Sequence, residues 1–490
     1  MIVRNMPPQL RPALLSGFIG STCATFGASQ SASPFTEHSG GSWFFQWSLG
    51  TGAGDDNERL LGVLLVYAGL VLIIGSWLSI VRLVRAKPRL HKIELRHLAL
   101  TLAAWAVPLL VVAPLFSHDA YSYAAQGQML SEGISPYSHG AAALGGGPWL
   151  AHVDPIWRQS IAPYGPGWER LIEGYVVASG HHLLGVLVLL RITALISLAA
   201  IAWGIPAVAR STGHDPAQAF VWAVLNPLVL LTLLGGMHND ALMLAFVVVA
   251  LAVAQRGHPL LGVVSCALGA EVKAPALLAV VFLGWWASED QDPARRVARI
   301  AGYVALAALV LAAVSAVGEL GWGWIHAAVT PGKVVSWLDP ATAVGLGLSH
   351  LTSALGLGAH QSTWTAVSRT AGLAVAAATA IWLLVRSDRR SGPEALGVSL
   401  LTLALLGPVV WPWYETWGIA LMASAAGGAG ALKRQIIIGL STLGAVADFP
   451  SSRILFGGTR GLVVAGWAVL VVGAACYFWF VILRPREPVP

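Results

Sequence analysis

Charge is scarce in this chain. Asp, Glu, Lys and Arg make up 11% of its 490 residues, apolar residues 56%, and the mean hydropathy is +0.70. A soluble chain of this length needs far more charge to cover its surface, so the composition excludes one and makes lipid the solvent. Alternating apolar and polar residues are also missing. The runs are near-continuous Leu, Ala and Val, which excludes a barrel and leaves helices as the way to satisfy the backbone inside a bilayer. Cysteine is nearly absent. Cys23, Cys266 and Cys476 are far apart in apolar sequence, an odd and scattered set that makes neither a disulfide framework nor a metal site. No basic stripe interleaves with aromatics, so the net charge of +6 does not point to nucleic acid. The basic residues cluster instead in short stretches between apolar runs, as in Arg82 to Arg96, Arg295 to Arg299 and Arg386 to Arg390, the habit of cytoplasmic loops.

With basic loops inside, the chain lays out as an all-α polytopic membrane protein of about thirteen or fourteen helices, some of half length, with outer-face loops and short amphipathic helices. Arg4 and Arg11 precede a first span, Ala13 to Ala28, expected to stay uncleaved. A second span runs from Leu60 to Leu83 and a third from Leu98 to Phe116. These lead to a long outer segment, 117–182. Spans follow at Leu184 to Val208, Ala217 to Gly236 and Ala241 to Ala254. The stretch Leu260 to Ala287 has basic residues at both ends, so a hairpin of two short helices broken near Gly269 to Pro275 is expected. A span from Val297 to Val317, an outer segment 318–361 and about four further spans complete the chain. Three units result: 1–97, 98–290 and 291–490.

The most informative stretch runs from Phe116 to Tyr137. Ser117 is a good helix start and Gly133 with Pro136 a good stop. Asp119 falls in the first turn, where the helix dipole favours a carboxylate, and Tyr123 and Gln126 follow on the same face. One face thus offers a carboxylate, a phenol and an amide where the third span leaves the membrane. That suits a sugar, although Asp119 capping its own helix is the plainer account of spacing alone. His238-Asn239-Asp240 is a second polar cluster at the same side, after helix-loosening Asn226-Pro227 and Gly235-Gly236. It either caps the next helix or meets substrate. Trp411 to Trp417 is an aromatic boundary, either an interfacial belt or a sugar platform at Trp413 and Tyr414.

Lysine is rare, with five in the chain. Lys87, Lys92 and Lys433 fall in inner loops, as topology requires. Lys273 sits in the break of the hairpin, where an ionisable group is functional by default unless it merely pairs with Glu271 or reaches for headgroups. Lys333, Arg158, Arg170 and Arg453 fall on the outer side against the usual bias. Each is a candidate for a phosphate or a plain solvated charge.

The strings His118-Asp119-Ala-Tyr-Ser-Tyr-Ala-Ala-Gln-Gly, Pro163-Tyr-Gly-Pro166, Met237-His-Asn-Asp240, Val272-Lys-Ala-Pro275, Trp337-Leu-Asp-Pro340 and Pro412-Trp-Tyr414 occur in this order. Together they resemble the actinobacterial polyprenol-phosphomannose-dependent alpha-(1→6)-mannosyltransferases, type B, of the GT-C superfamily. The resemblance covers roughly residues 100 to 420. It implies transfer of mannose from a polyprenyl-phosphate donor to the 6-hydroxyl of a lipid-anchored mannan, the backbone of lipomannan and lipoarabinomannan. Inversion would take place on the outer face of the plasma membrane. Asp119 then stands at the family's catalytic acidic position. His118, Tyr121, Tyr123, Gln126, Tyr137, Tyr164, His238, Asn239, Asp240, Trp413 and Tyr414 become candidate substrate contacts. Lys273, Lys333, Arg158, Arg170 and Arg453 become candidate phosphate ligands. No cofactor and no metal are expected, because cationic side chains suffice for a phosphate leaving group. A secondary transporter, a flippase and a sister transferase of another polyprenyl sugar are the competing readings.

Overall fold

The computed structural model describes residues 6–30, 33, 35, 56–85, 93–425 and 430–447. The expected spans downstream of 447, and Arg453 and Cys476 with them, lie outside the described residues.

All regular structure in the described residues is helical. In chain order the helices are α1 Arg11–Ala28, α2 Asp56–Arg85, α3 Leu95–Leu109, α4 Asp119–Ser131, α5 Pro148–Ala151, α6 Pro166–Ala178, α7 Leu183–Ser211, α8 Pro216–Ala223 and α9 Asp240–Ala254. They continue with α10 Pro259–Val272, α11 Leu277–Trp286, α12 Pro293–Gly318, α13 Gly323–Ala327, α14 Pro340–Ala354, α15 Gln361–Arg386, α16 Gly392–Leu406, α17 Pro412–Ser424 and α18 Ala431–Ala447. Among the described residues four helices are long and apolar enough to cross a membrane: Leu60–Arg85, Leu183–Ser211, Pro293–Gly318 and Gln361–Arg386. The other apolar helices are shorter. α3 carries Pro108 and ends at Leu109, so the expected span to Phe116 finishes as irregular chain.

Small residues let the first two helices touch backbone to backbone. A methyl on Gly20 would sit 2.8 Å from the Gly69 carbonyl, and one on Gly27 2.6 Å from that of Gly62. The two glycine pairs are a heptad apart on both helices, the kind of seam that suits helix association where water supplies no driving force.

Residues 217–254 are broken as the sequence implies. α8 gives way at Asn226, whose side chain accepts from Leu228 N at 3.0 Å and donates to Ser441 at 2.6 Å. A π-helical turn, Val229–Gly235, follows. It meets α9 at 114°, and the bend falls at Gly236 to Asn239. The stretch 260–287 is a hairpin: α10 ends at Val272, a short turn spans Ala274–Ala276, and α11 returns. A methyl on Gly262 would lie 3.4 Å from Leu283, which a continuous helix would carry some 30 Å away at 1.5 Å per residue. Arg210, Arg256, Arg295, Arg389 and Arg390 gather at the end of the bundle where this hairpin begins and finishes. There Arg389 meets Trp286 O and Glu289, and Arg390 meets Thr212 O. The turn of the hairpin points the other way.

α6 lies in the long segment after α3 and buries Glu169 completely, with neither carboxyl oxygen hydrogen-bonded. Burial alone raises its titration from 4.5 to about 8. The folded chain therefore holds a proton there that the unfolded chain releases, and stability from this group is lost as pH rises from about 4.5 through about 8. Glu169→Gln should flatten that part of the dependence, read as the thermal midpoint of purified protein across this range. A slope unchanged by the substitution would assign the pH dependence elsewhere.

Candidate active site

Two irregular stretches, 110–118 and 236–239, are brought side by side by hydrogen bonds. Leu115 N donates to Gly235 O at 3.0 Å. Arg191, buried in α7, donates to the carbonyls of Val112, Leu234 and Gly235. Each stretch contains a non-glycine residue in the left-handed region just before its polar residues, Phe116 at φ 65° and Met237 at φ 56°. Such backbone costs about 1–3 kcal/mol per residue and persists only where the surroundings over-determine it. Here it aims Asp119 and His238 at one another. Ser117 Oγ accepts from Asp119 N at 3.1 Å and starts α4.

Asp119, Ser122 and Gln126, one face of α4, line a cavity of about 290 Å³. Across it stand Lys273 with Ala274 and Pro275 from the hairpin turn, and Tyr164 from the Pro163–Pro166 string. Trp411, Tyr414 and Trp417 of α17 and its approach form an aromatic wall, Trp157 another, and Thr330 with Pro331 part of the rim. The lining is mostly apolar, with one carboxylate, one ammonium and a few hydroxyls and amides. That is the usual makeup of a small-ligand site. Gln126 Oε1 is buried without a partner, an acceptor open to a hydroxyl.

Beneath this surface lies a polar layer. Tyr123, fully buried, donates to Asn239 Oδ1 at 3.3 Å and lies 3.5 Å from Asp119 Oδ2. Asp240 takes both oxygens to Lys273 Nζ at 2.9 Å and accepts from Trp417 Nε1 at 2.6 Å. The ammonium sits 4.2 Å above the Tyr414 ring, within cation–π range. His238 Nδ1 is 3.3 Å from Asp119 Oδ2, an ion-pair contact longer and less aligned than an ordinary hydrogen bond. Burial pushes the Asp119 carboxyl up, yet His238, Lys273 and His118 together outweigh it and hold the group below the ordinary range. The carboxylate is therefore ionised at neutral pH and still 18% exposed.

The expected substrate contacts divide on this geometry. Asp119, Gln126, Tyr164, Tyr414 and Lys273 line the cavity. His238, Asn239, Asp240, Tyr123 and Trp413 do not; they are buried behind it. Tyr121 packs against His152, with His118 at its edge. Tyr137 donates to the Tyr164 carbonyl at 2.8 Å and so supports the wall rather than forming it. Lys273 does not pair with Glu271, whose carboxylate accepts from Gly167 N at 2.8 Å. Arg158 holds the carbonyls of Ala151 and Val153, and Arg170 those of Gly318 and the Glu173 carboxylate, both away from the cavity. Lys333 is exposed beside the rim, whose loop Arg369 holds through the carbonyls of Gly332 and Val334. Sequence reading missed Arg191 and Arg369. Two arginines within apolar helices were the available signal.

Among the described residues no group of three or more His, Cys, Asp or Glu is placed to hold a metal ion. An Asp-x-Asp string, Asp290-Gln291-Asp292, stands at the far end of α11 from Lys273, where Asp292 caps α12 by accepting from Arg295 N.

The profile described as "Alpha-(1->6)-mannopyranosyltransferase, N-terminal domain" matches residues 14–289, more than half of the chain and every cavity residue up to Pro275. The chain belongs to this family. A second profile, "MptB C-terminal domain", matches residues 341–479. Alpha-(1->6)-mannopyranosyltransferase A of Mycobacterium tuberculosis is 31% identical, covering 98% of this chain and 91% of its own length. Alpha-(1->6)-mannopyranosyltransferase B of Corynebacterium glutamicum is 33% identical, covering 74% and 65% respectively. No solved structure matches. Asp119 and Lys273, the two charged residues of the cavity lining, both lie within the stretch matched by the first profile.

Proposed function

We propose that the chain transfers mannose from polyprenyl-phosphate mannose to the 6-hydroxyl of a lipid-anchored alpha-(1→6) mannan, with inversion, as a GT-C type enzyme. The active site faces the outside of the plasma membrane. The observation that carries this reading is that a carboxylate and an ammonium open onto one largely apolar cavity with aromatic walls. In the reaction the acceptor 6-oxygen attacks the anomeric carbon opposite the phosphate, and Asp119 takes the hydroxyl proton. The bond from that carbon to the phosphate oxygen breaks, its electron pair leaves with the phosphate, and Lys273 meets the charge that develops there. Gln126 accepts from a sugar hydroxyl, and Tyr414 and Trp411 offer faces to the pyranose rings. The basic residues at the opposite end support the orientation, since cytoplasmic ends collect Arg and Lys.

The test is purified protein supplied with synthetic polyprenyl phosphomannose and a short alpha-(1→6) mannoside. The expected product carries one added alpha-(1→6) mannose. No product, a beta anomer or another linkage would overturn the proposal. Solute exchange in liposomes without consumption of donor would support a transporter instead.

A further inference from the structure

The cavity has two kinds of wall. The hairpin turn, α16 and α17 supply Lys273, Pro275, Leu403, Ala404 and Tyr414. The other wall is one face of α4 with the outer segment that follows it, and it carries Gln126, Trp157 and Ser160. This second wall has a small core of its own. Ala125 and Met129 of α4 cluster with Ala141 and Val153, and Trp157 packs against them. Its backbone is cross-tied, for Ala142 N donates to Arg158 O at 2.8 Å and Ala162 N to Pro136 O at 2.9 Å. Arg158, turned away from the cavity, donates to the Val153 and Ala151 carbonyls at 2.9 and 3.0 Å and so fixes the turn that carries its neighbour Trp157. The half-buried indole is thus held in place before any ligand arrives, which spares a ligand the cost of ordering it. Gln126 lines the same wall with an amide whose buried oxygen has no partner, a costly state that a ligand hydroxyl would relieve.

We infer that Trp157 and Gln126 form a subsite for the acceptor sugar one residue behind the attacking mannose. This rests on the proposed role of Asp119. Asp119, Ser122 and Gln126 share one face of α4, and at 1.5 Å per residue Gln126 lies about 10 Å further along the axis than Asp119. That interval exceeds one pyranose ring. A mannose whose 6-hydroxyl meets Asp119 covers the Ser122 part of the wall, and the next sugar of the chain comes against Gln126 and Trp157. The indole takes the C–H face of that ring and the amide one of its hydroxyls, an apolar surface with a few placed polar groups of the kind that fixes a ligand's orientation. The donor belongs to the other wall. Its phosphate meets Lys273, and its polyprenyl tail finds apolar cover at Pro275, Leu403 and Ala404 rather than along Gln126 and Ser160. An acceptor of two sugars therefore gains contacts that a single mannose cannot make.

The experiment compares methyl alpha-mannoside with methyl alpha-(1→6)-mannobioside as acceptors, using the full-length protein and polyprenyl phosphomannose. Wild type should prefer the disaccharide by on the order of 10²-fold in kcat/KM, about tenfold from the stacked ring and about tenfold from the hydrogen bond. Trp157→Ala and Gln126→Leu should each cut that preference about tenfold, with donor KM as in wild type. A preference unchanged in both variants would make this wall a scaffold that no sugar touches. A loss carried in donor KM would give the wall to the donor. Either result overturns the inference. If Trp157→Ala does not fold, Gln126→Leu decides, since it removes a buried acceptor that has no partner to strand. Wild type separates the two levels. No transfer to either acceptor defeats the functional reading itself, whereas equal transfer to both defeats only the subsite.

Discussion

Asp119→Asn should leave a folded protein that has lost on the order of 10³-fold in mannosyl transfer. The substitution keeps the shape of the side chain, so the Ser117 hydroxyl still starts α4 and the neighbouring tyrosine and histidine keep their places. What disappears is a proton acceptor in its ionised form at the cavity surface, held so by His238, Lys273 and His118 against the effect of burial. Donor binding should not weaken, because the amide removes one negative charge from the neighbourhood of an incoming phosphate. The measurement is initial rate against donor concentration, with the thermal midpoint as the control for folding. A variant turning over within tenfold of wild type would remove Asp119 from the chemistry.

Lys273→Met should act in two ways, and a second substitution separates them. The lysine neutralises a fully buried aspartate through two 2.9 Å contacts, so removing it strands a charge at a cost of about 3–5 kcal/mol. The single variant is therefore expected to give little folded protein. Lys273→Met combined with Asp240→Asn removes both charges, and the Asn amide still accepts from Trp417, so folding should return. Donor affinity should not. The loss expected for an unpaired phosphate in a dry site is about a hundredfold in donor KM, with acceptor KM nearly unchanged. Equal losses for donor and acceptor would make the lysine a structural charge. Full recovery of donor KM in the double variant would take the phosphate elsewhere.

Much of this was legible in the residues. Continuous apolar runs fix helices, the paired basic ends of 260–287 require an arm that returns, and Asn226-Pro227 with Gly235-Gly236 marks the break above the site. The face of Asp119 and Gln126 also follows from helical spacing. Depth did not follow. His238, Asn239 and Asp240 read as surface groups at a helix start, yet the 114° bend turns them inward, and no local pattern records the direction of a bend. Partner choice was equally hidden. Glu271 is two residues from Lys273, but the helix end places its carboxylate toward the Gly167 amide while Asp240 comes from another helix. Arg158 and Arg170 show why charge near an expected site is weak evidence, since a guanidinium close to loop carbonyls satisfies them first.

The arm formed by α10 and α11 goes in and comes out at one end of the bundle, so it adds nothing to the parity of the chain's passages. A lineage that lengthened, trimmed or lost it would keep everything downstream on its present side, which no ordinary span allows. The segment carrying Lys273 is therefore free to vary in reach without inverting the C-terminal half.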